Sequence, residues 1–245
     1  MNKKFMFKEE EMKILKNFKN ISPKMKIIND KFAITNGTSH SSLALYNFEN
    51  PYPFETDIPI YDLNKFFSII DAMKKPLFKV NDKSIDIEDE DTNTKVKFNL
   101  AQSEFIVDVP LNVIEKLMSR KPEVEFTLPE DRGAIIDRLK KVLNADRMFF
   151  SRMGNGIKIT LGQKNYNEIV DPLEIEINEQ FIDVNNFPED GTVLFLELDN
   201  WHLMTNTEYS MKLHYIAEKE KGAILCKNKN NASMYIISLD KYIID

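Results

Sequence analysis

Apolar residues recur at every second position in short runs, which restricts most of the chain to half-buried strands. In "TKVKFNL", Val96, Phe98 and Leu100 share one side, and in "PLEIEIN", Leu173, Ile175 and Ile177 do. Asn36-Gly37 lies between "KFAIT" and "SSLALYN", and Asn155-Gly156 between "RMFFSRM" and "IKITL". Both predict hairpins, because Asn-Gly accepts the positive φ angles of a type I′ turn.

Helical spacing is confined to a few stretches. Glu9–Asn20 places Ile14, Leu15 and Phe18 on one face. Asp62–Lys75 does so with Leu63, Phe66, Phe67, Ile70 and Met73, and Pro76 ends it. Pro129–Leu143 does so with Ile135, Ile136, Leu139, Val142 and Leu143. Asp199–Met204 predicts a short further helix, and "PLNVIEKLMSRK" is helix-like with its state left open. A basic amphipathic helix, strands, a second helix and more strands fill residues 1 to about 120. The same order recurs to the end, and "YDLNKFF" and "LDNWHLM" both set an aspartate before an apolar helical face. The expectation is two copies of one α+β unit, and 245 residues suffice for two ordinary domains.

Familiar reaction chemistry is missing. The single cysteine, Cys226, excludes an internal disulfide and points to a reducing compartment. His40, His202 and His214 form no metal-ligand spacing with it. The acidic run "DIEDEDTN" lacks the sixth-position glycine of a calcium loop, and Lys97 stands where the twelfth-position glutamate belongs, so a solvated strand turn is expected. With 7 glycines and no nucleophile-elbow, phosphate-loop or dinucleotide motif, no cofactor, metal or catalytic residue is expected. "MNKKFMFKEEE" does not read as a secretory signal, and no apolar run approaches a membrane span of about 20 residues.

The chain is acidic, with 33 Lys+Arg against 39 Asp+Glu, so any nucleic-acid role depends on where charge is placed. Within "MKILKNFK", Lys13, Lys16 and Lys19 fall opposite Ile14, Leu15 and Phe18 at about 100° per residue. A solvated face explains this stretch taken alone, since Glu9, Glu10 and Glu11 open the helix as its dipole favours. Lys65 and Lys75 in the second helix, and Arg138, Lys140 and Lys141 in the third, extend the pattern. Lys8–Asn20, Asp62–Lys75 and Glu130–Leu143 together hold 11 basic and 8 acidic residues, a charge of +3, and the rest of the chain carries −9. Basic helices on acidic sheets suggest helices gathered on one functional surface.

Those residues resemble a known family. "ILKNFKNIS…KMKIINDKFAIT" followed by "DIPIYDLNKFFSII" is similar to the first domain of the DNA polymerase sliding clamp of T-even-type bacteriophages. "AIIDRLKKVLNADRMFFSRMGNGIKIT" and "LFLELDNWHLM…EYSMKLHYIAEKEKGAILCK" fit the second domain less specifically. The resemblance implies two clamp domains per chain, residues 1–110 and 123–245, joined by a connection at 111–122. It implies a homotrimeric ring with helices lining the hole and antiparallel sheets outside. Lys13, Lys16, Lys19, Lys65, Lys75, Arg138, Lys140 and Lys141 would then face duplex DNA without reading its sequence. Implied partners are the C-terminal peptide of a DNA polymerase, an ATP-dependent clamp loader and a late-transcription coactivator, in the cytoplasm of an infected bacterial host. The apolar tail "MYIISLDKYIID" either contributes to a partner pocket or completes a sheet. Two other readings stand beside this one: a monomeric α+β adaptor with solvated basic helices, and a nucleic-acid-processing enzyme using scattered carboxylates.

Overall fold

Antiparallel pairing organises the chain twice over, in the same order each time. The structure, a computed structural model, describes residues 3–29, 31–37, 41–54, 56–106, 111–153, 156–163, 173–177, 187 and 192–243. It divides into two compact units, Met1–Ser39 with Leu43–Val109, and His40–Ser42 with Pro110–Asp245.

In the first unit, α1 (Glu9–Phe18) is followed by β1 (Met25–Ile28), β2 (Phe32–Asn36), β3 (Ser42–Asn47) and β4 (Ile58–Ile60). Then come α2 (Leu63–Asp71), β5 (Pro76–Asn81), β6 (Ser84–Asp89) and β7 (Thr94–Asn99). The strands pair in the orders β4-β1-β2-β3 and β5-β6-β7, and Phe5 forms a single bridge to Phe78 on the outer side of β5. The second unit holds α3 (Leu111–Ser119), β8 (Val124–Leu128), α4 (Glu130–Val142), β9 (Arg147–Met153), β10 (Gly156–Gly162), β11 (Leu173–Ile177) and β12 (Thr192–Glu197). A 3-10 turn (Leu198–Asn200), β13 (Tyr209–Ile216), β14 (Lys221–Asn228) and β15 (Ser233–Ile243) complete it. Here β12-β9-β10-β11 repeats β4-β1-β2-β3, and β8-β13-β14-β15 repeats the Phe5 bridge with β5-β6-β7. In the second unit β12 pairs with β15 and fuses the two halves into one sheet. In the first, Ala101 N–H donates to the Pro59 carbonyl (3.1 Å) at the corresponding seam.

Local sequence explains the helix starts. In α1, Ile14, Leu15 and Phe18 are fully buried. Glu11 is buried with them, accepting hydrogen bonds from the Lys8 amide (2.8 Å) and the Tyr52 hydroxyl. Removal from water, and then that buried carboxylate, hold the Tyr52 hydroxyl well above the usual tyrosine range. Asp62 caps α2 by accepting from the Lys65 amide (2.9 Å), the orphan donor such a cap satisfies. Phe66 of α2 packs on Phe78 and Phe98 of the neighbouring strands, and Phe5 and Phe7 extend the same aromatic core.

Several sequence expectations are corrected. α2 ends at Asp71 rather than Lys75, because the Lys74 amide donates to Asp89 Oδ2 (2.7 Å) and Pro76 already opens β5. In α4, Ile136 is fully buried but Val142 is 70% exposed; six residues on, it points about 120° away from the packed side. Asp199–Met204 is not an α-helix. After the 3-10 turn residues 201–204 take up no regular secondary structure, Trp201 and Leu203 are both buried, and the Tyr209 hydroxyl accepts from the Met204 amide (2.9 Å). The β2–β3 hairpin exists, but Asn36 pairs with Leu43, so its connection is longer than a two-residue Asn-Gly turn. Gly156 is paired with Met153 inside the β9–β10 ladder, and the turn at residues 154–155 lies outside the described residues. "PLNVIEKLMSRK" is helical as α3, "DIEDEDTN" is the end of β6 and the turn beyond it, and the C-terminal apolar run is β15.

Two features of β13 and β14 set the tolerance of the second unit. A Cβ at Gly222 would lie 2.5 Å from the His214 carbonyl oxygen. Gly222→Ala should therefore lower unfolding free energy by about 1–3 kcal/mol in urea titration. His214 is buried, and neither ring nitrogen has a hydrogen-bond partner among the described residues. Burial, then the nearby Arg120 and Lys212 charges, push its pKa down to about 4 from 6.5. The unfolded chain then binds more protons between those values, so stability is full above pH 6.5 and falls progressively towards pH 4. His214→Leu should flatten that part of the stability–pH curve.

Candidate nucleic-acid interface

α1, α2 and α4 each bury one side on a sheet, so their remaining polar sides are the surface available to a ligand. Between their ends these helices hold seven basic and seven acidic residues. The +3 expected from the sequence arises at the flanks, from Lys8, Lys19, Lys74 and Lys75 less Asp62. The helix bodies are thus neutral, and what matters is which cations are already paired.

Four of the eight residues singled out by sequence are paired. Lys13 Nζ lies 2.8 Å from Glu9 Oε1, and their hydrogen bond raises the lysine pKa and lowers that of the carboxylate, keeping both charged. Lys16 of α1 reaches across to Asp71 at the end of α2. Lys75 lies beyond α2, with Nζ 3.7 Å from Asp91 Oδ2. Lys140 is half-buried beside Ile136 and sits 3.1 Å from Asp137 Oδ1. The other four, Lys19, Lys65, Arg138 and Lys141, are exposed with no ion-pair partner among the described residues. Lys19 caps the C-terminal end of α1, and Lys65 projects from α2 while Leu63, Phe66, Phe67 and Ile70 are buried. Arg138 and Lys141 stand on the side of α4 away from Ile136. Lys19 and Lys65 thus belong to two different helices of the first unit, whereas Arg138 and Lys141 both stand on α4, the counterpart of α1.

Sequence reasoning missed the neutralising partners. Asp71 is 55 positions from Lys16 and carries no local signal, whereas Asp137 is three residues from Lys140 and could have been found from helix spacing. His202, the one candidate cation within Asp199–Met204, is half-buried near Lys140, Asp137 and Asp199. Burial, then the Lys140 charge, holds its pKa below the ordinary value of 6.5, which disfavours the charged imidazolium. No group of histidine, cysteine and carboxylate side chains among the described residues is arranged to hold a metal, and no helix there is long and apolar enough to cross a membrane.

No protein-family model and no curated protein matches the chain. Solved structures do. Proliferating cellular nuclear antigen from Entamoeba histolytica superimposes with a TM-score of 0.62 at 14% identity, covering 94% of each chain. A putative DNA polymerase III beta subunit from Eubacterium rectale gives 0.67 at 11% identity, covering 97% of this chain and 65% of the other. The Helicobacter pylori beta clamp bound to 5-chloroisatin gives 0.58 at 15% identity, over 92% and 63%. The chain has the sliding-clamp fold. It spans nearly all of the Entamoeba chain and somewhat under two thirds of the two beta-subunit chains. At such identities the likeness is one of fold, and the duplicated strand order is its visible basis.

Proposed function

We propose that the chain is a DNA sliding clamp of the T-even phage kind: a homotrimeric ring around duplex DNA that tethers a replicative polymerase. In this reading residues 111–122 connect the two clamp domains. The polymerase binds through its C-terminal peptide, an ATP-dependent loader opens the ring, and a coactivator recruits it to late transcription inside the infected bacterium. The observation that carries the reading is the duplicated clamp fold, with exposed cations on helices of both copies. Lysine and arginine attract phosphates without reading bases, so their contacts weaken with salt and leave the protein able to move along the duplex. The eight cations Lys13, Lys16, Lys19, Lys65, Lys75, Arg138, Lys140 and Lys141 face the DNA, with Lys19, Lys65, Arg138 and Lys141 the most available. Enclosure rather than affinity supplies processivity, and the reading assigns no catalytic step to the chain.

A second reading has its own support. The pairing of Lys13, Lys16 and Lys140 with carboxylates is what ordinary solvated helix faces display. Two measurements separate the readings. A ring is expected to sediment as a trimer and, once loaded, to stay on closed circular DNA and leave when the circle is cut. A monomer that remains monomeric with loader and DNA, or equal loss from cut and uncut circles, rejects the ring. Reversing Lys19, Lys65, Arg138 and Lys141 to glutamate should cut loading at least about tenfold without changing the thermal midpoint, as expected for phosphate contacts.

A further inference from the structure

The contact between α1 and α2 shows how this surface is tuned. Lys16 lies on the open side of α1, yet its ammonium is engaged by Asp71, the only acidic residue of α2. Asp71 is 57% exposed and Lys16 36%, so the pair sits at the surface rather than in the core. Neither residue is needed to hold the helices on their sheet. That work is done by Ile14, Leu15 and Phe18 on one side, and by Leu63, Phe66, Phe67 and Ile70 on the other, all buried. An exposed pair of this kind adds little to stability. Its larger effect is on the electrostatic surface: it removes one cation from the set able to meet a phosphate and places a fixed negative charge beside it. In the second unit the pairing is of another kind, within a single helix: Asp137 ties Lys140 three residues on in α4, while Arg138 and Lys141 remain open.

We propose that Asp71 is an attenuating residue: by holding Lys16, it keeps the phosphate affinity of the helix surface below the level at which a DNA-encircling protein would stall. The inference rests on the sliding-clamp reading and adds to it a residue that sets the strength of the DNA contact. Each phosphate-neutralising cation contributes about 0.9 to the slope of log affinity against log salt concentration. Releasing Lys16 from Asp71 adds one such cation per subunit.

The test uses the full-length chain as wild type, Asp71→Asn, Lys16→Gln and the double variant. Asparagine preserves the side chain's size and hydrogen-bonding capacity while removing its charge. Anisotropy of a labelled linear duplex, whose open ends admit a ring, is followed through a salt series. Asp71→Asn is expected to tighten binding about threefold to fivefold at low salt and to steepen the salt slope by about 0.9 per lysine released. In the Lys16→Gln background the same change should leave the salt slope unchanged and give only the smaller gain that comes from removing a carboxylate. An unchanged slope in Asp71→Asn, or a gain and slope change just as large without Lys16, overturns the proposal. Failure of the ring itself shows elsewhere, as wild-type protein lost equally from closed and cut circles, and is thereby told apart from failure of the pairing.

Discussion

Every helix that matters to the candidate surface stays helical because one of its sides is buried against a sheet. The helices of the two units are short, and a peptide of nine to thirteen residues is marginal in water on its own. Phe18 in α1, Phe66 in α2 and Ile136 in α4 therefore fix both the existence of a helix and its rotation about its axis. Once the rotation is fixed, which charges reach solvent is no longer free to vary. The exposure of Lys65, Arg138 and Lys141 follows from what lies beneath them rather than from any property of the cations themselves.

This chain of cause also explains what could be read from sequence. The period-two runs and the stripes of α1 and α2 are local patterns, and the strands and helices they announce are present. The repeat of the whole order was legible because each copy must solve the same burial problem. Asp199–Met204 misled for a physical reason: an aspartate before apolar residues is the usual sign of a helix start, yet Tyr209 takes the Met204 amide and both Trp201 and Leu203 are buried. Where a side chain outside the segment claims one of its backbone donors, the periodicity of the segment has no say. The buried carboxylate of Glu11 is the same lesson reversed, since a residue that reads as a solvated first-turn acid is held inside by Tyr52, 41 positions away.

The charge pattern was legible only in part. Counting residues over helices with generous ends suggested a basic surface, whereas the folded helix bodies are neutral and the open cations are few. A weakly positive surface is better suited to sequence-independent contact than a strongly positive one, because binding that releases many counterions is strong and slow to let go. The acidic total is compatible with such a surface, since carboxylates such as Asp71, Glu88 and Asp91 are already engaged by lysines.

The seam between strand groups differs between the two copies. In the second unit β12 pairs with β15, so a continuous hydrogen-bonded ladder crosses it. In the first, the described backbone contact at the seam is the Ala101–Pro59 hydrogen bond, and aromatic packing around Phe66, Phe78 and Phe98 supplies the rest of the cohesion. A ladder parts only by unzipping residue after residue, whereas apolar layers can separate in a single breathing step. Amide protons flanking the first seam accordingly have a route to solvent that leaves both neighbouring sheets intact, and their exchange reports a local event. Those of the second unit are reached only when much of that sheet comes undone, which makes one copy of the repeat the pliable half and the other the rigid one.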